Sequence, residues 1–190
     1  MTRLVPLMAV LSSVGGCKSD PAQSTFVGNP TMRARIADTD EQQVISGELD
    51  ALEVLLATCE QAAGGGGNVA LGSMQLTFAG DTATEPIELE PGDHCGLWFV
   101  VHHFAFTYEE EGTETTLLVD NFDLYLDVPF EAVRDGSYEV RFGDDDWLTD
   151  LSLLLEPGTE TVVYERDGSE LAERFFDGLI EGSTVTKLTD

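Results

Sequence analysis

The sequence predicts a mainly β fold, namely an antiparallel β-sandwich or jelly-roll-like domain with one short C-terminal helix. Apolar and polar residues alternate in short stretches along most of the chain, which is the pattern of strands with one face in water. Turn signals separate these stretches, as in Glu90–Asp93, Asp135–Ser137 and Glu156–Thr159. About eight to ten strands at this spacing are typical of a two-layer all-β domain.

Strands with one solvent-exposed face follow from strict alternation. In Met32–Ile36 the residues Met32, Ala34 and Ile36 alternate with two arginines. Successive side chains of a strand point to opposite faces, so this alternation puts the apolar side chains on one side. The same pattern occurs in Met74–Phe78, Ile87–Leu89, Tyr138–Phe142, Leu151–Leu155 and, in a weaker form, Val185–Thr189.

Two longer stretches, Leu97–Tyr108 and Thr115–Val128, are predicted to be central strands. Leu97–Tyr108 is largely apolar at both parities, as expected for a strand that is covered on both sides. Strict alternation places His102 and His103 on opposite faces, so they cannot bind one metal ion together, and it predicts one of them in the core. Between the two strands, Glu109–Gly112 predicts a charged hairpin turn.

The stretch Ile45–Cys59 fits two structures. One set of its apolar residues falls on a helical face, and a partly different set falls on one side of a strand. Gly47 lowers helix stability by about 1 kcal/mol relative to Ala. Because the surrounding segments are also predicted strands, the balance favours a strand.

A helix is predicted near the C terminus. Asp167 and Glu170 have the spacing of a capping box, and Gly182 is suited to end the helix. The apolar stripe between them consists of Leu171, Ala172, Phe175, Phe176 and Leu179. Such a stripe needs an apolar partner, so we expect the helix to cover one edge or end of the sandwich.

The N-terminal segment has the layout of a secretory signal. Arg3 supplies a positive charge, an apolar run of about ten residues follows, and two glycines precede Cys17. The run is too short to span a bilayer. The last four residues, Val14–Cys17, resemble the lipobox of bacterial lipoproteins, and this resemblance covers residues 1–17 only. It implies cleavage before Cys17 and attachment of acyl chains to that cysteine.

The resemblance also implies how the chain is organised. Residues 1–16 are the expected signal peptide, 17–31 the lipidated cysteine and a flexible tether, and 32–190 a single β-rich domain. The tether is rich in Ser, Pro, Gly, Asn and Gln, without a periodic apolar pattern. Lys18 stands where the family's inner-membrane retention signal has an aspartate. We therefore expect an outer-membrane lipoprotein, held by its lipid and facing the periplasm or the cell surface.

Two cysteines remain after lipidation of Cys17. In an oxidising envelope, Cys59 and Cys95 predict a disulfide that closes a loop of about 37 residues and contributes about 3 to 4 kcal/mol in the chain-entropy model. The alternative is a metal site formed by Cys59, His94 and Cys95. Neighbouring His94 and Cys95 would point apart on a strand, and no fourth ligand is evident, so the disulfide is preferred.

The charge of the chain restricts its partners. Only 9 basic residues stand against 36 acidic ones, which gives a formal net charge of −27 at pH 7. Such a field repels nucleic-acid phosphates and anionic lipid head groups and attracts cations and cationic partners. The sequence therefore predicts no nucleic-acid binding.

Calcium is the cofactor that the acidic loops suggest. Calcium takes six to eight oxygen ligands, and Asp144, Asp145 and Asp146 follow Gly143 in a loop that could provide some of them. A second acidic group contains Asp38, Asp40 and Glu41. The alternative for the triplet is a solvated loop or a helix cap that precedes Trp147.

No sequence motif of a common enzyme class is present. The chain lacks a G-x-S-x-G elbow, an H-E-x-x-H pair, a phosphate-binding loop and a dinucleotide fingerprint. We therefore expect a non-catalytic envelope lipoprotein, a structural or cation-assisted binding module whose ligand is a glycan or a protein. Exposed aromatics among Tyr108, Tyr125 and Trp147 would stack on sugars, but an aromatic residue on a strand is more often part of the core. The alternative is a hydrolase of glycans or peptides that uses a pair of the many carboxylates.

Overall fold

The computed structural model describes residues 28–59, 68–164 and 168–189. These residues form a curled mixed sheet with two helices, so the prediction of a mainly β, sandwich-like fold is confirmed. The strands are β1 (Thr31–Ile36), β2 (Gln42–Thr58), β3 (Asn68–Ala79), β4 (Thr82–Ala83), β5 (Ile87–Glu88), β6 (Gly92–Glu110), β7 (Thr113–Leu126), β8 (Phe130–Ala132), β9 (Ser137–Phe142), β10 (Glu160–Val163) and β11 (Thr184–Leu188). The helices are α1 (Trp147–Ser152) and α2 (Glu170–Glu181).

The strands belong to one sheet with the order β10-β7-β6-β2-β3-β4-β1-β9-β11. Outside this path, β5 pairs with β1 and β8 pairs with β6. Within the described chain, β1 with β9 and β10 with β7 are parallel pairs, and the other pairs are antiparallel. The antiparallel centre contains the sequential pairs β2–β3 and β6–β7 and also the pair β2–β6, whose strands are not consecutive in the chain. Both parallel pairs join segments that are distant in sequence.

The sheet curls so that β9 faces β6 across the apolar core. The ring of Phe142 in β9 lies 5.8 Å from Phe99 and 6.2 Å from Phe104, both in β6. Phe175 of α2 packs 6.3 Å from Phe104. Because β9 and β6 are not neighbours in the sheet order, these contacts create the two facing layers of a sandwich-like core.

The long strands change their buried face near the middle of the sheet. The buried residues of β6 are first Leu97, Phe99 and Val101 and then Phe104, Phe106 and Tyr108. The register of β2 against β6 shifts between Asp50 and Ala51, and against β3 it shifts between Ala51 and Val54. Such β-bulges bend a sheet and redirect side chains. The bend line, as we call it, comprises Asp50–Val54 of β2, Gly72 of β3, Val101–His103 of β6 and Asp120–Asn121 of β7.

Most of the strand predictions are confirmed, including Ile45–Cys59, which forms β2 as far as Thr58. The predicted hairpin turn is also present, because Glu111 and Gly112 have φ angles of 51° and 78° and join β6 to β7. The strand predicted at Leu151–Leu155 is wrong. Leu148, Leu151 and Leu155 are buried, which is the spacing of a helical face, and α1 covers the first part of this stretch.

Helix α2 forms where the sequence predicts it, with a different N-terminal cap. The hydroxyl of Ser169 accepts a hydrogen bond from the Ala172 N–H at 3.1 Å. Asp167, the predicted cap, lies outside the described residues. Gly182 ends the helix as expected. The apolar stripe faces the core and includes the fully buried Phe175.

The N-terminal predictions fall mostly on residues that are not described. The signal peptide, Cys17 and the tether up to residue 27 lie outside the described residues, and β1 begins at Thr31, the last residue assigned to the tether. Within residues 28–59, 68–164 and 168–189, neither helix has the length and apolar character needed to cross a membrane.

Candidate functional site

A cleft of about 840 Å³ lies between helices α1 and α2. Its carboxylates come from the loop before α1, from α1 itself and from the polar face of α2. They belong to Asp144, Asp146, Asp150, Glu170, Glu173, Asp177 and Glu181. Among the residues in ranges 28–59, 68–164 and 168–189, one basic side chain, that of Arg174, also lines it. We call this feature the acidic cleft.

The indole of Trp147 supports the acidic cleft from below. Its side chain is buried, and its Nε1–H donates a hydrogen bond to the Phe175 carbonyl oxygen at 3.2 Å. A Cβ atom at Gly143 or at Gly178 would lie 2.2 Å from the indole ring. Glycine is therefore required at both positions, because a side chain would prevent the loop and α2 from packing against Trp147. This packing fixes the distance between the α1 wall and the α2 wall of the cleft.

The carboxylates of the acidic cleft greatly outnumber its cations. Arg174 Nη1 lies 3.5 Å from Asp150 Oδ2, and both side chains are about half exposed. Glu170 and Glu173 stand in the first turn of α2, where the helix dipole stabilises negative charge. The cleft therefore presents a concentrated negative field that attracts metal cations, ammonium groups or guanidinium groups.

The structure separates the three candidate calcium ligands. Asp144 and Asp146 line the acidic cleft, whereas the exposed Asp145 pairs with Arg141 outside it. Asp144 Oδ1 accepts the Asp146 N–H at 3.1 Å, and Asp146 is the N-cap residue of α1. In the described part of the chain, no three His, Cys, Asp or Glu residues are grouped as a metal site. Calcium binding by Asp144–Asp146 stays a prediction.

A second cleft, of about 460 Å³, lies beside β1 and β4, and we call it the Arg35 cleft. Arg35 Nη2 lies 3.3 Å from Asp38 Oδ1, and Arg35 Nε contacts the Asp81 carboxylate. The Thr82 hydroxyl donates to Asp81 Oδ1 at 3.0 Å. The cleft is lined by Arg35, Asp38, Thr39, Asp40, Gln43, Val44, Gly80 and Asp81, so it receives two members of the second predicted acidic group but not Glu41.

The surroundings in the Arg35 cleft raise the pKa of Asp38 and of Arg35. Partial burial, and then the neighbouring Asp81 carboxylate, raise the pKa of Asp38 above its ordinary value despite the opposing effect of Arg35. Burial alone would lower the pKa of Arg35, but Asp81 and Asp38 outweigh this effect and raise it. Asp38 is therefore protonated at a higher pH than an ordinary aspartate.

The predicted disulfide lies at the end of β2. Cys59 and Cys95 are bonded, with their Cα atoms 4.8 Å apart. The pairing leaves no thiolate for the alternative metal site with His94, which is wrong. His94 is instead buried against Phe130, with ring centroids 5.2 Å apart, and its Nε2 lies 2.8 Å from the Glu90 carbonyl oxygen. The buried histidine is therefore His94, and the prediction of a core histidine at position 102 or 103 is wrong.

The prediction that His102 and His103 lie on opposite faces is wrong, because the β-bulge turns both outward. His102 Nδ1 lies 3.3 Å from Asp50 Oδ2. His103 lies between two carboxylates, with Nδ1 2.5 Å from Asp120 Oδ1 and Nε2 3.2 Å from Glu48 Oε1. We call these five residues the imidazole cluster. In the sequence Leu97–Tyr108 is apolar at both parities, so the change of buried face at the histidine pair is visible only in the folded strand.

Of the three aromatic residues considered for sugar stacking, one is available. Tyr108 and Trp147 are almost fully buried, whereas Tyr125 is 44% exposed on the outer face of β7. The Tyr125 hydroxyl would lie 3.0 Å from a Cβ atom at Gly96, so the ring leans over that glycine. Glycan binding at Tyr125 stays a prediction.

No protein-family model matches the chain, and neither a curated protein nor a solved structure is significantly similar to it.

Proposed function

We propose that this chain is a non-catalytic lipoprotein of the bacterial cell envelope, anchored through Cys17, whose β-rich domain binds a cationic ligand or protein in the acidic cleft. The observation that carries the proposal is the charge of that cleft, in which, among the residues that the structure describes, seven carboxylates accompany one guanidinium. A rigid floor supports the binding role, because Trp147 and its two neighbouring glycines hold the walls at a fixed separation. The lipobox resemblance supports the location.

Cation binding is tested by thermal melts of the purified protein with calcium, with calcium plus chelator, and with sodium at matched ionic strength. A site that is saturated at a hundred times its dissociation constant adds about 2.7 kcal/mol of stability, which is several degrees for a chain of this size. We expect a rise with calcium that exceeds the rise with sodium. Equal rises would show that the acids respond only to screening and would remove calcium as the ligand.

Two double variants locate the effect. Glu173→Gln with Asp177→Asn removes two charges from the acidic cleft, and Glu85→Gln with Glu88→Gln removes two exposed charges elsewhere. We expect the first pair to reduce the calcium-dependent rise and the second pair to leave it unchanged. An equal reduction in both would show that net charge, and not the cleft, binds the cation.

The anchor is tested separately in a bacterial host. Radiolabelled palmitate should label the wild-type chain, which should fractionate with the outer membrane. Cys17→Ser should abolish both the label and the membrane association. Palmitate labelling of Cys17→Ser at the wild-type level would overturn the lipoprotein assignment without affecting the cleft.

A hydrolase of glycans or peptides is the second candidate, and the Arg35 cleft favours it. The cleft places Asp38, whose pKa is raised, beside Asp81, whose carboxylate Arg35 contacts. Two carboxyl groups with different protonation can act as general acid and general base. Aryl glycosides and labelled casein test the idea. Turnover that Asp38→Asn and Asp81→Asn both abolish would support it, and absence of turnover would oppose it.

A further inference from the structure

The imidazole cluster gathers charged side chains from three adjacent strands. Glu48 and Asp50 come from β2, His102 and His103 from β6, and Asp120 from β7. In the sheet register Asp50 is opposite His103, and His103 is opposite Asp120. The ring of His103 therefore forms a continuous bridge from β2 to β7 on the outer face of the sheet.

This bridge lies at the bend line, where the backbone pairing of β2 with β6 is irregular. The β2–β6 register shifts on both sides of Ala51, and Asn121 of β7 has a φ angle of 54°. A bulge leaves a residue unpaired and locally disrupts the ladder of backbone hydrogen bonds. Side-chain contacts across the bend line consequently replace part of the connection that the backbone loses there.

The hydrogen-bonding capacity of His103 depends on its protonation. A neutral imidazole has one N–H donor and one acceptor nitrogen, whereas the protonated ring has two donors. Both ring nitrogens of His103 face carboxylate oxygens, which accept hydrogen bonds but do not donate them when ionised. The protonated ring satisfies both contacts, and the neutral ring leaves a lone pair directed at a carboxylate.

We propose that the imidazole cluster is a proton-dependent clasp, in which protonation of His103 ties β2, β6 and β7 together across the bend line. In the neutral state one of the two bridges is lost, and the bend line opens more readily. His102, with its single contact to Asp50, adds a weaker bridge of the same kind. The clasp makes the sheet more resistant to local opening in mildly acidic surroundings than in alkaline ones.

The neighbouring groups are consistent with proton uptake at this position. On β2, Glu48 and Asp50 face the ring, and Glu53 is the next charged residue. On β7, Asp120 faces it, and Asp123 is the next. The flanking strand β10 presents Val162 and Val163 beside β7 and carries no charge there. Among the described residues of these strands, the charged side chains nearest to the two imidazoles are carboxylates.

A metal ion does not explain the cluster equally well. A metal-bound imidazole must offer a lone pair, but both nitrogens of His103 are occupied by carboxylate contacts. The described residues also contain no group of three potential ligands arranged as a metal site.

Two measurements on the purified protein test the clasp. Nitrogen NMR shifts of the imidazole rings report directly whether His103 carries two protons, and hydrogen exchange of the amides at 50–54 and 100–103 reports local opening. We expect both ring nitrogens of His103 to be protonated at pH 5.5, with greater protection of these amides than at pH 8.0 after correction for intrinsic rates. Amides of β9 provide the internal reference.

His103→Gln is the decisive variant, because glutamine is polar but does not titrate. We expect the gain in Tm between pH 8.0 and pH 5.5 to be about 2 to 4 °C smaller in His103→Gln than in the wild type, and His102→Gln to have a smaller effect. The comparison at two pH values removes the pH-independent cost of the substitution. An unchanged Tm gain in His103→Gln, or a neutral His103 ring at pH 5.5, would overturn the proposal.

Discussion

The two polar clefts of this molecule have similar composition and opposite organisation. In the acidic cleft seven carboxylates accompany Arg174, whose contact with Asp150 is long and half exposed. In the Arg35 cleft three carboxylates accompany Arg35, which contacts two of them, Asp38 and Asp81. Most carboxylates of the acidic cleft make no ion pair with Arg174 and can bind a cationic ligand. In the Arg35 cleft, two of the three carboxylates already contact Arg35.

The difference shows that the acidic residues of one chain can serve two roles, namely ion pairing within the fold and binding of a ligand. Around Arg35 the carboxylates have become part of a hydrogen-bonded connection between β1 and the start of β4, and Thr82 adds to it. In the acidic cleft the stability comes from the aromatic floor, so the carboxylates above it are free to bind. Two substitutions test this difference in role. One removes the aromatic support beneath the acidic cleft, and the other removes the arginine of the Arg35 cleft.

The largest effect is expected for Phe175→Ala, which removes a ring that packs against Trp147, the floor of the acidic cleft. Phe175 is fully buried and its ring lies 5.4 Å from Trp147 and 5.1 Å from Phe176. We expect a loss of about 3 to 5 kcal/mol in the free energy of unfolding, measured by urea denaturation. Phe176→Ala is the matched control, and its loss should be clearly smaller because Phe176 is only partly buried. Equal losses would contradict the view that Phe175 is the main support of Trp147.

The second effect compares the two arginines. Arg35→Ala leaves the partly buried carboxylates of Asp38 and Asp81 without their cation, so we expect a loss of about 1 to 3 kcal/mol. Arg174→Ala removes an exposed contact and should cost less than about 1 kcal/mol. Urea denaturation at low and high salt measures both. If Arg174→Ala proved the more costly change, the contrast between the clefts would be reversed.

Local features of the fold were predictable from the sequence because they depend on neighbouring residues. The alternation of Met32–Ile36 and Tyr138–Phe142 identified β1 and β9, and the turn at Glu109–Gly112 identified the β6–β7 hairpin. The parallel pairing of β1 with β9 was not predictable, since nothing in either strand specifies a distant partner. The prediction at Leu151–Leu155 failed because Leu151 and Leu155, four residues apart, share a helical face with Leu148, while Leu153 between them is exposed.

The candidate site was only half predictable for the same reason. Asp144 and Asp146 are recognisable in the sequence because they belong to a run of three acidic residues. The opposite wall of the acidic cleft comes from the polar face of α2, which lies beside α1 only in the folded chain. The imidazole cluster was missed because alternation assumes an unbroken strand, and one inserted residue reverses every side chain beyond it. His102 and His103 mark that reversal.

A smaller effect is expected at the start of α2, which forms one wall of the acidic cleft. Ser169→Ala removes the hydroxyl that accepts the Ala172 N–H, and the loss should be about 1 kcal/mol in urea denaturation. Ser169→Asp is the control, because aspartate also caps a helix and should retain most of the stability. A loss in Ser169→Asp as large as in Ser169→Ala would show that capping is not the role of this hydroxyl.

The smallest effect is a change in pH dependence at the Arg35 cleft. Because burial and Asp81 raise the pKa of Asp38, the folded chain keeps this proton to a higher pH than the unfolded chain does. The resulting stabilisation is complete below the ordinary aspartate pKa and is lost as the pH rises through the raised value. Asp38→Asn removes this titration, so the stability of the wild type relative to Asp38→Asn should fall as the pH rises from below the ordinary aspartate pKa through the raised pKa of Asp38.

Urea denaturation across this pH range measures the difference, and Asp40→Asn removes one formal charge from the same cleft as the control. If the difference between wild type and Asp38→Asn did not vary with pH, Asp38 would titrate alike in the folded and unfolded chains. Burial and the Asp81 carboxylate would then have no net effect on the protonation of Asp38, and the division between a structural and a binding cleft would rest on the arginine contacts alone.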